Sequence, residues 1–195
     1  MTQTARPTLT TSLPNILTYG RIAAVPVLVA VLFFGEGDTA RWIAFAIFTL
    51  ACFTDWLDGY LARIWAQQSN LGRMLDPIAD KLLVGATLLM LVYTQSISGW
   101  SIFAAIIILS REILVSGLRE FLAELNVKVH VTQLAKYKTA FQFIALAMLL
   151  VGPATTSIGP GVTEMGTLIL WIAALLTLFT GYDYLKAAIR HAIDQ

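Results

Sequence analysis

The chain has little of what stabilises or decorates a soluble domain. Of its 195 residues one is cysteine, two are histidine and only 13% are charged. A single thiol, Cys52, has no intramolecular partner, so disulfides are excluded, and its setting in an apolar run reads as a small buried hydrophobe. His130 and His191 stand alone in polar segments and read as surface residues; with no thiolate or imidazole cluster, a zinc site is excluded. The net charge is only +1, which gives no basis for nucleic-acid binding. The first dozen residues are polar and Thr-rich and lack an apolar stretch ahead of a small-residue cleavage site, so no removable signal peptide is expected.

Apolar residues are abundant: 57% of the chain is hydrophobic and mean hydropathy is +0.74, values of an integral membrane protein. Apolar length predicts six transmembrane helices at about 16–34, 41–63, 77–95, 99–119, 139–153 and 166–188. The fold class is therefore all-α integral membrane. A polar segment 1–13, a six-helix domain 14–190 and a short tail 191–195 make up the chain, with no separate soluble domain. Gly35-Glu-Gly-Asp38, Gln95-Ser-Ile-Ser-Gly99 and Gly152-Pro153 to Gly166 punctuate three of the breaks; polar segments 64–76 and 120–138 form the other two. Of 13 Lys and Arg, only Arg41 falls on the side holding the first three connections, which predicts that the other side, with both termini, is cytoplasmic. Arg6, Lys128, Lys186 and Arg190 read as topology determinants only. Trp42, Trp56, Trp65, Trp100 and Trp171 fall mostly near span ends and read as interfacial anchors. Tyr182-Asp183-Tyr184 reads as a hydrogen-bonded structural group.

Against this background stand four carboxylates within 26 residues: Asp55 and Asp58 in the second span, Asp76 and Asp80 at the start of the third. A carboxylate taken into hydrocarbon costs several kcal/mol, so the cluster requires a compensating cation. Residues three and four apart share a helix face, which puts Asp55, Asp58 and Ala62 on one stripe and Gly72, Asp76 and Asp80 on another. Pro77 suits a first helical turn, so a helix start is expected there with Asp76 as its N-cap; capping accounts for one carboxylate at most. Four carboxylates from two neighbouring helices make an all-oxygen site for Mg²⁺ or Mn²⁺, with room for two ions as in two-metal phosphoryl transfer. Gly59 and Gly72 would let a ligand approach the backbone, although small residues also serve helix packing. Lys81 either pairs with a motif carboxylate or reaches to the interface.

The run Asp55-Trp-Leu-Asp58-Gly59-Tyr-Leu-Ala62-Arg63, eight residues, then Gly72-Arg-Met-Leu-Asp76-Pro-Ile-Ala-Asp80, resembles at every fixed position the signature D-x2-D-G-x2-A-R-x8-G-x3-D-x3-D of the CDP-alcohol phosphatidyltransferases. The resemblance implies a six-helix membrane enzyme, usually a homodimer, that moves a phosphatidyl group from a CDP-linked lipid to an alcohol and releases CMP. It implies metal binding by Asp55, Asp58 and Asp76, and for Asp80 contact with the second ion and a general-base role. Contacts to the CDP moiety are implied for Asp58, Gly59, Ala62, Arg63 and Gly72.

Pro14-Asn-Ile-Leu-Thr18-Tyr-Gly-Arg21 resembles the first-helix opening P-N-x-L-T-x-x-R of bacterial phosphatidylglycerophosphate synthases. Ser110-Arg111-Glu112-Ile-Leu-Val-Ser116-Gly117-Leu-Arg119-Glu120 and Lys136-Tyr-Lys138-Thr139 are similar to that group's fourth-span end and fifth-span start; Ala135 stands where glycine is common, adding a methyl to the pocket. The similarity implies CDP-diacylglycerol and glycerol 3-phosphate as substrates, a bacterial inner-membrane location, and Arg111, Lys136, Lys138 and Arg119 around the acceptor phosphate. A guanidinium fork and flexible ammoniums suit a doubly charged phosphate better than a serine acceptor. Inositol phosphate, or a cardiolipin-forming reaction, are the alternatives within the family. A divalent-cation transporter is the alternative of another class, but it leaves Gly59, Ala62, Arg63 and Gly72 without a purpose.

Overall fold

A computed structural model describes residues 13–65, 70–124, 133–155 and 161–193. The described chain is helical throughout: α1 (Leu13–Phe34), α2 (Gly37–Trp65), α3 (Asn70–Tyr93), α4 (Ser101–Glu124), α5 (Gln133–Val151) and α6 (Val162–Ile193), with one 3₁₀ turn at Gly152–Thr155. Every helix matches one expected span. Five of the six are long and apolar enough to cross a membrane; the exception is α3, whose first half carries Asp76, Asp80 and Lys81. The protein is a multi-pass membrane protein. Exposed Leu50, Phe53, Leu89, Phe103, Ile113, Leu175 and Phe179 are what lipid-facing helix surfaces require.

The helices run beyond the apolar spans, because backbone hydrogen bonding continues past the hydrocarbon boundary wherever side chains permit it. The difference matters most at α3. It begins at Asn70, not at Pro77, so residues 70–76, expected as connection, are helical and Asp76 is an interior residue rather than an N-cap. Proline removes one i→i−4 bond and costs the helix there, yet both Pro26 in α1 and Pro77 in α3 lie inside unbroken helices.

The chain divides into two compact units, Met1–Thr87 and Leu88–Gln195. In the first, α1 packs on α2 through a two-residue connection. Gly35 permits it: a Cβ there would collide with the carbonyl oxygen of Val31 and meet Ala40 Cβ at 2.7 Å. Leu28, Leu32, Ala44, Phe48 and Leu83 supply its buried apolar core.

In the second unit α6 packs against both α4 and α5. Leu146, Leu149 and Leu150 of α5, Ile108 of α4 and Leu170, Ala173 and Ala174 of α6 are fully buried. Gly152 lets the end of α5 meet the start of α6, since a Cβ there would lie 2.5 Å from Thr163 Oγ1 and 3.1 Å from its Cα. Trp42 and Trp100 lie exposed beside the starts of α2 and α4, as anchors should, whereas Trp171 sits well inside α6.

Candidate functional site

Three polar residues of α1, Asn15, Thr18 and Arg21, recur at intervals of three in an otherwise apolar helix and are all buried. Polar groups buried at such depth require partners. Thr18 Oγ1 donates to Asp76 Oδ1 at 2.5 Å. Arg21 reaches two helices at once: its Nη1 lies 2.6 Å from Asp55 Oδ1 on α2 and 2.7 Å from Asp80 Oδ1 on α3. The guanidinium side chain has no solvent exposure, while the two carboxylates keep 31% and 40% of theirs. A fully enclosed cation therefore backs a pair of carboxylates whose other sides remain open.

This arrangement draws together Asp55, Asp76 and Asp80 through α1, a helix to which the sequence reading assigned no chemistry. The signal was present in the spacing of Asn15, Thr18 and Arg21, because a charged residue well inside a membrane span has to be paired. Gly72 is buried on the same face of α3, four residues before Asp76. The side chains of Asp58, Gly59, Ala62 and Arg63 lie outside the described residues, although their backbone belongs to α2. Among the described residues no three acidic, histidine or cysteine side chains form a metal-holding group. Lys81, expected at a carboxylate or the interface, donates from Nζ to the carbonyl of Pro77 at 2.9 Å.

The second unit holds a polar cluster where α4, α5 and α6 meet. Arg111 is buried, with Nε donating to the carbonyl of Thr177 at 3.2 Å and Nη2 to Thr180 Oγ1 at 3.1 Å. Gly181 makes room for it: a Cβ there would press on Arg111 Cγ at 3.2 Å. Glu112 joins this arginine to α5, since its Oε1 lies 3.7 Å from Arg111 Nη1 and accepts a hydrogen bond from Lys138 Nζ. Lys138 is itself buried.

Two of the four cations expected in one pocket, Arg111 and Lys138, thus converge, and they do so on a carboxylate that sequence reasoning passed over. Arg119 stands within electrostatic reach of both. It lies two helical turns, about 12 Å, along α4, where Nη2 donates to Tyr184 Oη at 3.3 Å and the guanidinium lies 5.5 Å from that ring's centre. The side chain of Asp183, the acid of the Tyr182-Asp183-Tyr184 group, lies outside the described residues. The side chain of Lys136 lies outside the described residues, as do His130 and the side chain of His191.

The CDP-alcohol phosphatidyltransferase family matches residues 11–179. A relative from Rickettsia bellii is 47% identical over 90% of this chain and 94% of its own length. One from Salmonella choleraesuis is 39% identical, and one from Cereibacter sphaeroides 36%, each over 94% of this chain and 98% of its own. All three are named CDP-diacylglycerol–glycerol-3-phosphate 3-phosphatidyltransferase.

Proposed function

The chain belongs to the CDP-alcohol phosphatidyltransferase family, and from that membership we propose that it transfers the phosphatidyl group of CDP-diacylglycerol to glycerol 3-phosphate and releases CMP. The observation that carries this reading is the gathering of Asp55, Asp76 and Asp80 from two helices onto Arg21 and Thr18 of a third. Such a group of half-open carboxylates has no use in a scaffold, and the relatives' names favour catalysis over ion transport.

The family is in general metal-dependent, and the donors present here fit a hard cation because they are oxygen only. Asp55, Asp58, Asp76 and Asp80 would hold Mg²⁺ or Mn²⁺, two ions in all, which when bound offset the diphosphate charge and polarise the phosphorus under attack. Asp80 takes the proton of the acceptor hydroxyl, whose oxygen forms a bond to the phosphatidyl phosphorus. The bond from that phosphorus to the bridging oxygen breaks, and its electron pair leaves with CMP. A carboxylate is a weak base for an alcohol, so positioning supplies much of the acceleration. Asp58, Gly59, Ala62, Arg63 and Gly72 hold the CDP moiety.

Arg111 and Lys138, with Lys136, receive the acceptor phosphate. Arg119 takes an outer place because Tyr184 already engages it. Support for a phosphorylated acceptor comes from the burial of Arg111 and Lys138 with, among the described residues, a single shared carboxylate, which leaves net positive charge for a dianion. The same reading makes the protein a homodimer of a bacterial cytoplasmic membrane, with termini and site on the cytoplasmic side where Lys and Arg concentrate. Lipid substrate enters from the bilayer and glycerol 3-phosphate from water.

The test is CMP release by purified protein in detergent with CDP-diacylglycerol and Mg²⁺, offering glycerol 3-phosphate, inositol phosphate, serine or phosphatidylglycerol separately. Release is expected with glycerol 3-phosphate alone; release with another acceptor would overturn the substrate, and none with any would overturn the reaction. Direct displacement also requires that no phosphatidyl-enzyme accumulate when CDP-diacylglycerol is given alone.

A further inference from the structure

A buried arginine that spends one nitrogen on two carboxylates of the catalytic cluster does more than neutralise charge. Arg21 Nη1 touches Oδ1 of Asp55 and Oδ1 of Asp80, which belong to different helices, so the guanidinium fixes the separation and rotation of both groups. Its side chain is wholly enclosed, on the protein side of the cluster, whereas both carboxylates keep a solvent-facing part. It is therefore a built-in back wall, out of reach of a ligand arriving from the open side. Thr18, one turn earlier on α1, does the same for Asp76 through a neutral hydroxyl.

We propose that Arg21 is a positioning residue of the phosphatidyl-transfer site, which holds Asp55 and Asp80 in their working orientation and weakens the cluster's grip on divalent cations by sharing its negative charge. The inference rests on the reading of Asp55 and Asp80 as metal-binding and catalytic groups. Two consequences have opposite signs. Removing the guanidinium leaves the carboxylates less neutralised, so a divalent ion binds more tightly. It also frees Asp55 and Asp80 to rotate, so turnover falls even when metal saturates. A residue needed only for folding would not separate these two quantities.

The experiment compares wild type, Arg21→Gln and Arg21→Lys, each full-length in detergent, by Mn²⁺ binding measured with electron paramagnetic resonance and by CMP release at saturating Mn²⁺. For Arg21→Gln we expect Mn²⁺ affinity to rise about three- to tenfold while kcat falls at least about tenfold, with the KM for CDP-diacylglycerol within about threefold of wild type. For Arg21→Lys, which keeps the charge but carries it on a shorter, freely rotating ammonium, Mn²⁺ affinity stays within about twofold and kcat recovers only in part. Should Arg21→Gln fail to fold, the split in Arg21→Lys decides alone. Weaker Mn²⁺ binding with kcat restored by excess metal would overturn the proposal, as would a raised KM for CDP-diacylglycerol at unchanged kcat, which would make Arg21 a headgroup ligand. Absence of CMP release in wild type would instead refute the underlying reaction, leaving the Mn²⁺ comparison to judge Arg21.

Discussion

The ion pair Lys138–Glu112, with Arg111 on its flank, is the clearest place to test the second cluster. Glu112 keeps 19% of its side-chain exposure, Lys138 5% and Arg111 10%, so solvent screens these charges poorly. At 3.7 Å from Arg111 Nη1, an effective dielectric of about 20 gives an attraction of about 4.5 kcal/mol. Desolvation offsets more than half of it, leaving roughly 2 kcal/mol. The hydrogen-bonded Lys138 contributes a further charge-assisted bond of about 1.5–3 kcal/mol. Changing Glu112 to Gln strands two buried cations, and the expected destabilisation is about 3–4 kcal/mol.

For a chain of this size that corresponds to a fall in Tm of about 6–16 °C. Lys138→Met should cost a similar amount by stranding Glu112, and the double variant should cost less than the two together by about 1.5–3 kcal/mol. The assay is thermal unfolding of detergent-solubilised protein, followed by intrinsic tryptophan fluorescence, for the four members of the cycle. Additive effects, or a change in Tm under about 2 °C for Glu112→Gln, would refute the reasoning that these charges depend on one another. Inorganic phosphate should raise the Tm of Glu112→Gln more than that of wild type, since an anion there replaces the lost counter-charge.

Asp80→Asn should lower CMP release by at least about a hundredfold while leaving Tm within a few degrees, because the amide keeps the shape but cannot take a proton. EDTA should stop wild-type release, and added Mg²⁺ or Mn²⁺ should restore it. Arg111→Lys should raise the KM for glycerol 3-phosphate about ten- to a hundredfold and leave that for CDP-diacylglycerol unchanged, since an ammonium cannot reproduce the fork held by Thr177 and Thr180; steady-state kinetics with each substrate varied in turn checks this. Gly152→Val should lower Tm by several degrees with no change in KM, because its Cβ would lie 3.1 Å from the Cα of Thr163 and backbone cannot yield as a side chain can.

Much of the architecture was legible because lipid imposes a simple rule on sequence. Every backbone polar group within hydrocarbon must be satisfied internally, so an apolar run of about twenty residues has to be a helix. For the same reason Asp55, Asp76 and Asp80 announced themselves, since a carboxylate has no casual place in such surroundings. Helix ends were less legible. Residues 70–76 read as connection because they are polar, yet α3 includes them, and Pro77 marks an interior position rather than a beginning. Polarity reports where hydrocarbon stops, and a helix need not stop there.

From the chain alone came the membrane class, the six helices, the family signature and the identity of the acidic cluster, all local properties that residue type and spacing encode. The tertiary structure alone decided which cations meet which acids. It assigned Arg21 to Asp55 and Asp80, Thr18 to Asp76, Glu112 to Lys138 and Arg119 to Tyr184. Those pairings span tens of residues along the chain and depend on how each helix is rotated about its axis. Rotation is set by the packing of small residues such as Gly35, Gly152 and Gly181 against a neighbouring helix, contacts that no one-dimensional spacing specifies.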